Sequence, residues 1–561
     1  MDWENFRKAD SLRREVMNWM VQSRSSLRRW TVLLIVFNLL ASFLWGICYA
    51  QEKPKYGGTL IVGAGSDPTT LNLGLTYNII DTLAVSSVFN LLTKLDSDFN
   101  PRPDLAESWT VSDDGLTYTF HLVRNAVWHD GKPFTSADVK FTFAEVLAKY
   151  HPRGPVVLKA VQSIETPDPY TVVFKMRYPY DPLMKFIGNE AFILPRHLYE
   201  NTDILKNPYN LKPIGTGPFV FKEWKRGSHL TLERNPSYFK TAKPYLDKII
   251  VKIVPDASSR MIAFEAGEID YLYYVNLPPS EVSRFRNRPG FVVTSKGQEV
   301  GPSIMMMAFN LRKAPFNNLQ VRQAVAHAIN TQYIEEKADY GLGKLATSPI
   351  ASATKWAFNP NVTRYNYDPK KAEQLLDQAG YPRGADGTRF KTSIIADRGD
   401  FLYAKSAEII RDDLGKVGIP VELKLLDRAS MVDVSYIRWD FDLQVHGLGT
   451  GPDPAIAVAR TYLSSNIKPI PFANNSGYSN KEVDQLFALA EKAPNLKKRA
   501  EYYYRAQDII VRDLPYLFLL EYGLNSAFRD EFKGLHSWCA RSFMSYGDDA
   551  WWTKGRDAPP K

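Results

Sequence analysis

Cysteine is almost absent from this chain. Only Cys48 and Cys539 occur among the 561 residues, so a fold held by several disulfides is excluded, and an oxidising compartment is permitted without being exploited. Histidine is scarce as well, and the eight histidines show neither the H-x-x-x-H nor the H-E-x-x-H spacing of a zinc hydrolase. We therefore predict no metal site and no cofactor.

The usual catalytic signatures are also missing. The chain contains neither the G-x-S-x-G turn of a serine hydrolase nor a Walker loop. The glycine-rich segment 447–452 (GLGTGP) lacks the third glycine of a dinucleotide-binding loop. His129-Asp130-Gly131 looks like part of a catalytic dyad, but its context is typical of a turn. We expect no catalytic residues and no enzymatic activity; a secreted hydrolase is the less favoured alternative.

Runs of basic and aromatic residues like those of RNA-binding or DNA-binding proteins are missing too. The net charge of +9 is spread over a long chain, so we predict no nucleic-acid partner. The apolar fraction of 45% and the charged fraction of 23% are those of an ordinary globular protein. The length predicts several domains.

One long apolar run is present near the start, at residues 31–50. It follows a segment with seven basic residues and ends in small residues before Gln51, the pattern of a secretory signal peptide cleaved after Ala50. Because the run is about 20 residues long, an uncleaved membrane anchor is the alternative. The basic residues precede the run, so the rest of the chain faces outward in both cases. We predict a periplasmic protein whose residues 1–50 are a signal peptide or an N-terminal anchor.

Residues 101–147 carry the most informative local signals in the chain. They predict a strand that alternates through Phe120, a turn at Asp130-Gly131, and a helix that Thr135 and Asp138 cap reciprocally. These signals describe a scaffold and not a catalytic centre.

The same stretch resembles the signature of the solute-binding proteins of peptide/nickel/opine ABC importers, the dipeptide-binding type. The positions that agree with this signature are Leu105, Ala106, Ser108, Trp109, Ser112, Asp114, Gly115, Tyr118, Thr119, Phe120, Trp128, His129, Asp130, Gly131, Pro133, Phe134, Thr135, Asp138 and Val139. The GTGPF segment at 215–219 and the VRQA segment at 321–324 are similar to further elements of the family. The resemblance extends over about residues 56–535.

This resemblance implies an α/β fold with two lobes, the periplasmic-binding-protein fold of class II, in the large cluster that has an extra subdomain. Mixed sheets would be joined by two hinge crossings, near 306–312 and 516–522. The first lobe would be discontinuous and would consist of 51–91, 213–306 and 522–561. The extra subdomain of that lobe would be 92–212, and the second lobe would be 307–521.

The function that the resemblance implies is that of the extracytoplasmic component of an ABC importer. It would capture a peptide-like, opine-like or other small polar solute by hinge closure and deliver it to a membrane permease. The expected partners are a small molecule or short peptide, an ABC permease and its ATPase subunits, and the protein would be a monomer. A membrane-anchored sensor or chaperone with the same fold is the alternative.

The loop after the predicted strand at 441–447 is the first candidate for ligand binding. In peptide-binding members, a carboxylate about three residues before an Asp-Pro pair holds the peptide's ammonium. Here Thr450 stands at that position, and His446 or Gly447 stands where those members carry a tryptophan. The missing carboxylate counts against an ordinary peptide with a free N-terminus and favours a neutral, hydroxylated or anionic solute. The alternative is that Asp453 supplies the negative charge.

Aromatic and amide side chains near the expected cleft are the second group of candidates. Three tyrosines follow one another on an extended segment, where alternate rings face opposite sides, and tyrosine walls suit ligands with both polar and apolar parts. Core packing is the alternative for these rings. The candidates of this group are Tyr77, Asn78, Tyr271, Tyr273, Tyr274 and Tyr522.

Overall fold

The structure is a computed structural model. It describes residues 14, 15, 17, 53–76, 78–96, 99–273, 277–295, 303–451, 453–493, 495–522, 525–535 and 548–555. The chain divides into two units, residues 1–54 and residues 55–561. In the first unit, Arg14, Glu15 and Met17 are helical and exposed. Within the described residues, no helix combines the length and the apolar character needed to cross a bilayer, and the predicted apolar run at 31–50 lies outside them.

The second unit contains a seven-stranded mixed sheet that draws strands from both ends of the chain. The first strand, Thr59–Ala64, lies in parallel between Lys248–Ile253 and Tyr271–Leu272, and its Leu60 and Val62 side chains are fully buried. In spatial order the strands are Phe291–Thr294, Ser526–Arg529, Tyr271–Leu272, Thr59–Ala64, Lys248–Ile253, His229–Arg234 and Phe219–Lys225.

The second unit also contains a separate six-stranded mixed sheet. Its strands in spatial order are Lys344–Leu345, Tyr516–Glu521, Ser303–Phe309, Leu443–Gly449, Thr392–Asp397 and Val421–Leu426. Strand Ser303–Phe309 is buried at every position and pairs with both of its neighbours along its length. The predicted lobe limit between 306 and 307 falls within this strand.

The chain passes between these two sheets at two places. The first lies between Thr294 and Ser303, and the second between Glu521 and Ser526. The crossings predicted near 306–312 and 516–522 fall instead on strands of the second sheet. The sequence alone does not assign the apolar residues Met305–Met307 to one of the lobes, because a buried strand has the same apolar pattern in either lobe.

A four-stranded antiparallel sheet lies in the segment predicted as the extra subdomain. Its strands in spatial order are Ala106–Val111, Thr117–Leu122, Thr171–Met176 and Val161–Asp168. The predicted capping box is confirmed, since Thr135 and Asp138 bond reciprocally at the start of helix Ser136–Phe141. That helix continues through a π-helical turn, Thr142–Leu147, into Ala148–Tyr150. Two two-stranded antiparallel sheets complete the set, Thr93–Leu95 with Pro101–Pro103 and Phe532–Lys533 with Trp551–Trp552.

Helices cover the faces of the sheets. Those beside the first sheet and in the subdomain include Ile79–Val85, Gly154–Leu158, Pro182–Ile187, Arg196–Tyr199, Ala257–Ala266 and Pro279–Arg286. The helices within residues 303–521 are Leu319–Ala328, Thr331–Lys337, Pro369–Gln378, Phe401–Lys416, Arg428–Val432 with the π-helical turn Asp433–Ile437, Pro454–Ala457, Ala459–Tyr462, Lys481–Glu491 and Leu496–Asp513.

Local signals explain why several of these helices begin and end where they do. Asp368 accepts a hydrogen bond from the Lys371 amide and so caps helix Pro369–Gln378. Gly380, just past its end, has a φ of 87°, which suits glycine. Ala372 and Leu376 form the buried stripe of the helix. These local signals in the sequence are sufficient to explain both ends of this helix.

A buried cluster of charges connects the last described segment to strand Thr93–Leu95 and to the loop after strand His229–Arg234. The Asp548 carboxylate is 1% exposed and pairs with Lys94 at 2.8 Å and Lys240 at 2.9 Å. Lys240 also pairs with Asp104 at 2.6 Å, and the Tyr238 hydroxyl donates to Asp548 at 2.9 Å. Burial alone raises the pKa of Asp548, but Lys240 and Lys94 together hold that pKa well below its usual range.

Candidate ligand-binding site

Three parallel strands of the second sheet end at the same edge. They are Thr392–Asp397, Val421–Leu426 and Leu443–Gly449. Charged side chains stand at these ends, and Arg428 lies 3.3 Å from the Asp397 carboxylate. Because ligands of open α/β sheets bind outside the carboxyl ends of the strands, this edge is the candidate binding surface of the second lobe.

Gly447 lies at this edge against two tyrosines. The Tyr403 and Tyr522 hydroxyls are hydrogen-bonded at 3.2 Å. A Cβ atom on residue 447 would lie 2.2 Å from the Tyr403 hydroxyl and 2.8 Å from the Tyr522 hydroxyl, so no side chain fits there unless the pair moves. Burial raises the pKa of both tyrosines. Glycine at 447 therefore leaves room for a neutral pair of hydroxyls at the sheet edge.

We expect Gly447→Ala to lower the free energy of unfolding by about 1–3 kcal/mol, the usual cost of forcing an atom into a packed site. Urea unfolding measures this change. Gly449→Ala is the matched control, since its Cβ would meet only the Ser303 hydroxyl, at 3.8 Å, and it should be close to neutral. Adding Tyr403→Phe to Gly447→Ala should recover part of the loss. Equal stabilities for the two alanine variants would contradict the predicted clash.

His446 is buried on the same strand. Its Nδ1 forms a 3.2 Å hydrogen bond with the Tyr436 hydroxyl, and Nε2 has no hydrogen-bonding partner among the described residues. Burial, with a smaller contribution from Arg428, lowers the pKa of His446 to about 3. The side chain is thus a neutral group within an aromatic cluster that includes Tyr516.

A buried neutral histidine makes stability depend on pH. The unfolded chain protonates His446 near its ordinary pKa of about 6.5, whereas the folded chain does not until about pH 3. The stabilising contribution is therefore complete above pH 6.5 and is lost as the pH falls. Between pH 7.5 and pH 5, wild type should lose about 2 kcal/mol more unfolding free energy than His446→Gln does. Urea unfolding at both values measures this, and the exposed His121→Gln should behave like wild type.

Asp453 holds together the loop that follows this strand. Its Oδ1 accepts the Ala455 amide at 2.9 Å and so caps helix Pro454–Ala457. The same oxygen lies 2.8 Å from Arg499, and both side chains are almost completely buried. Burial lowers the pKa of Arg499, but Asp453 outweighs it and the pKa is raised overall. Asp453 thus caps a helix and belongs to a buried ion pair, and Thr450, three residues earlier in the chain, is also buried.

The second lobe meets the subdomain through charged and aromatic side chains. Arg499 also lies 3.3 Å from the Asp181 carboxylate of the subdomain. Glu491 accepts a hydrogen bond from the Tyr178 hydroxyl at 3.1 Å and pairs with Lys159 at 3.0 Å. These contacts join helices Lys481–Glu491 and Leu496–Asp513 to the subdomain.

The loop after strand Leu443–Gly449 reaches the subdomain as well. Gly451 has a φ of 64°, and a Cβ on it would lie 3.9 Å from a guanidinium nitrogen of Arg153. Ile456, on the short helix that follows, packs within the apolar cluster of the subdomain. The carboxyl edge of the second sheet is therefore opposed by residues of the subdomain.

On the side of the first lobe, a loop runs from the end of strand Thr59–Ala64 to helix Ile79–Val85. The indole of Trp224 anchors it by donating to Asp67 at 2.8 Å. Asn78 caps the helix through the Ile80 amide and is exposed. Tyr77 lies outside the described residues.

A small cavity lies between this loop and the subdomain, with room for about one water molecule. Its lining residues are Leu73, Thr76, Thr82, His151, Asn189, Glu190 and Phe192. Within it, Glu190 pairs with Arg153 at 2.7 Å, and both are buried. The sequence reasoning missed these residues. The available signal was a Glu-Asn polar pair inside the apolar run FIGNEAFIL at 186–194.

The tyrosines at 271–274 occupy the core where the structure describes them. Tyr271 and Tyr273 are each 1% exposed and lie in the apolar cluster of the seven-stranded sheet. The Tyr271 hydroxyl hydrogen-bonds Ser526 at 3.4 Å. Tyr274 lies outside the described residues. In the described part of the chain no group of three or more potential metal ligands comes together.

Comparison with known proteins defines the class to which this arrangement belongs. The structure of the oligopeptide-binding protein AppA from Bacillus subtilis in complex with a nonapeptide matches with a TM-score of 0.74 at 28% identity, over 90% of this chain and all of that one. NikZ from Campylobacter jejuni in complex with Ni(L-His) matches with a TM-score of 0.75 at 26% identity, over 88% of this chain and 99% of that one. The fold is the two-lobed fold of periplasmic binding proteins, as predicted.

The sequence itself identifies the family. Residues 100–469 match the model of the bacterial extracellular solute-binding proteins, family 5. AppA of Bacillus subtilis strain 168 is 30% identical over 520 residues, which cover 89% of this chain and 92% of that protein. The chain belongs to this family, a class of binding proteins and not of enzymes. Its function is that of the solute-binding component of an ABC importer, and the prediction drawn from residues 105–139 is confirmed.

Proposed function

We propose that this protein captures a peptide-like, opine-like or other small polar solute between its lobes and delivers it to a membrane permease. One observation carries the proposal. The carboxyl edge of the second sheet, with Gly447 and the loop at 449–453, is opposed by the subdomain of the first lobe. A solute on this edge contacts both sides only when the lobes are together, so it stabilises the closed state.

The geometry of the chain supports closure about the two crossings. In this proposal the first lobe and its subdomain comprise residues 51–302 and 522–561, and the second lobe comprises residues 303–521. The crossing segments at 295–303 and 521–526 would absorb the rotation. The contacts of Arg499 with Asp181 and of Glu491 with Tyr178 would form on closure and break on opening.

The setting of this function is also part of the proposal. Residues 1–50 would direct the chain through the inner membrane, by cleavage after Ala50 or as an anchor at 31–50. The mature protein would act in the periplasm as a monomer, with an ABC permease and its ATPase subunits as partners. The extracellular character of the family supports this location.

Native mass spectrometry of protein purified gently from its own compartment tests the proposal. We expect a reproducible small-molecule adduct, whose mass and fragments after denaturation give the solute class. Adding that solute back to stripped protein should reduce the radius of gyration measured by small-angle X-ray scattering, because the lobes close. The mass of the chain also shows whether it begins at Gln51.

Two results would count against this function. The first is a chain that carries no adduct and whose melting temperature no peptide, opine-like conjugate, sugar or metal chelate changes. The second is a bound solute that leaves the radius of gyration unchanged. The first would favour a sensor or chaperone, and the second would exclude hinge closure as the mechanism.

A further inference from the structure

One apolar side chain of the second lobe lies inside the core of the subdomain. Ile456 is on the short helix Pro454–Ala457, just after the loop at the carboxyl edge of the second sheet. It is 5% exposed and belongs to the apolar cluster of the subdomain, whose other buried members all lie between Leu92 and Ile193. The side chain therefore crosses from one lobe to the other, and separation of the lobes would return it to water.

The helix that carries Ile456 is held firmly by its own lobe. Asp453 caps this helix and pairs with the buried Arg499 at 2.8 Å. A Cβ atom on Gly451 would lie only 2.7 Å from the Cβ atom of Ala457, so glycine at 451 lets the helix pack directly on the preceding loop. Ile456 is thus positioned by the second lobe and moves with it.

The subdomain that receives Ile456 is joined to the first lobe. The His129 amide donates to the Gly215 carbonyl at 2.9 Å, and the His129 Nε2 donates to the Gly217 carbonyl at 3.0 Å. Both glycines lead into strand Phe219–Lys225 at the edge of the seven-stranded sheet. Rotation of the lobes about the two crossings therefore has to withdraw Ile456 from the subdomain.

The polar contacts around Ile456 are reached by water. Arg499 lies 3.3 Å from Asp181, whose side chain is half exposed. Glu491 pairs at 3.0 Å with Lys159, whose side chain is also half exposed. Ion pairs of this kind contribute little to stability and are weakened by salt, whereas burial of an isoleucine side chain contributes substantially. The apolar contact is therefore the stronger link between the second lobe and the subdomain.

We propose that Ile456 is an apolar latch that sets the ratio of closed to open chains before any solute binds. The inference rests on the hinge closure of the proposed function and adds its regulation. Because Ile456 is buried in the subdomain cluster, it is not available to a solute, and its burial favours the closed state whatever the solute is. A fraction of the solute-free protein is then already closed, and less of the binding free energy is used to close the lobes.

Double electron–electron resonance on the protein stripped of solute measures this ratio. Spin labels at Glu107, exposed on a subdomain strand, and at Gln485, exposed on helix Lys481–Glu491, span the interface; serine replaces both native cysteines. We expect two distances in wild type, one for closed and one for open chains. Ile456→Ser should raise the ratio of open to closed chains about tenfold to a hundredfold, because the burial of the side chain is lost. Ile456→Val removes one methylene group and should raise it about fourfold.

A matched exchange at an exposed isoleucine is the control. Ile470, in the same lobe, is 53% exposed, so Ile470→Ser should leave the ratio as in wild type. Raising the salt concentration should also change the ratio little, because the latch is apolar.

The contrary results separate the latch from the proposed function. Wild type that is wholly open without solute, or an unchanged ratio in both variants of Ile456, would overturn the latch and keep hinge closure. A large loss of closed chains in high salt would assign the link to the ion pairs and overturn the role of Ile456. If Ile456→Ser does not fold, Ile456→Val decides. A single distance in every variant, with and without the copurifying solute, would overturn hinge closure itself and the latch with it.

Discussion

Asp548→Asn should lower the free energy of unfolding by about 3–5 kcal/mol, the usual cost of breaking a buried ion pair by removing one partner. Asp548 is almost fully buried and pairs with Lys94 and Lys240. The asparagine keeps the size and can still accept from Tyr238, but it leaves the buried Lys94 ammonium without its carboxylate. Urea unfolding at pH 7, followed by circular dichroism, measures the change.

The neighbouring residue supplies the control. Asp549 pairs with Lys243, and both side chains are about a quarter exposed. Since ion pairs that water reaches contribute little, Asp549→Asn should cost less than about 1 kcal/mol. Similar losses for the two variants would mean that residues 548–549 act through the backbone and not through the buried charge.

Arg499→Met is expected to have an effect of the same size in the second lobe. The methionine keeps the apolar contacts with the Trp356 ring, over which the guanidinium lies at 4.9 Å. It leaves the Asp453 carboxylate buried, with the Ala455 amide as its one donor among the described residues. We expect a loss of about 3–5 kcal/mol in urea unfolding. The loss of the Asp181 contact should add little to this cost, because the Asp181 side chain is half exposed.

A double variant separates charge from packing. Adding Asp453→Asn to Arg499→Met removes the unpaired buried carboxylate, and asparagine can still cap the helix. The double variant should therefore regain most of the lost free energy of unfolding. Arg505→Met is the matched control, because Arg505 is on the same helix and forms an exposed pair with Glu482; it should cost less than about 1 kcal/mol. A double variant no more stable than Arg499→Met would show that the guanidinium stabilises the lobe by packing.

The elements that could be predicted from sequence are those whose signals lie close together. The signals lie within about ten residues both for the capping box of Thr135 and Asp138 and for the capped helix Pro369–Gln378. The hairpin of strands Phe219–Lys225 and His229–Arg234 is similarly local, with its turn at Arg226-Gly227. In each case, the groups that form hydrogen bonds with the backbone amides and carbonyls are close to them in the sequence.

The topology could be expected only through the resemblance to a family. Strand Thr59–Ala64 pairs with Lys248–Ile253, almost 190 residues away, and no periodicity records such a partner. The assignment of the strand at 303–309 to a sheet has the same difficulty. Residues 303–309 show a buried strand, but the choice of sheet depends on pairing with 443–449 and 516–521.

The site was harder to predict because its contacts are also distant. The extended segment with Tyr271 and Tyr273 left ligand contact and core packing open as alternatives, and in the structure both rings lie in the core. The need for glycine at 447 arises from hydroxyls on Tyr403 and Tyr522, which come from a helix and from the end of another strand. The buried Glu190 likewise pairs with Arg153, which is 37 residues earlier in the chain. The sequence is sufficient to identify the family, whereas these contacts between distant residues are visible only in the three-dimensional structure.

The strand order of the first sheet also determines when this protein can finish folding. Its members span residues 59 to 529, and the buried carboxylate at 548 neutralises lysines at 94 and 240. A chain emerging N-terminus first therefore cannot complete the first lobe until nearly all of it has been synthesised. Under the proposed export of this chain across the inner membrane, this delay would be useful, since translocation requires a chain whose first domain has not yet become stable.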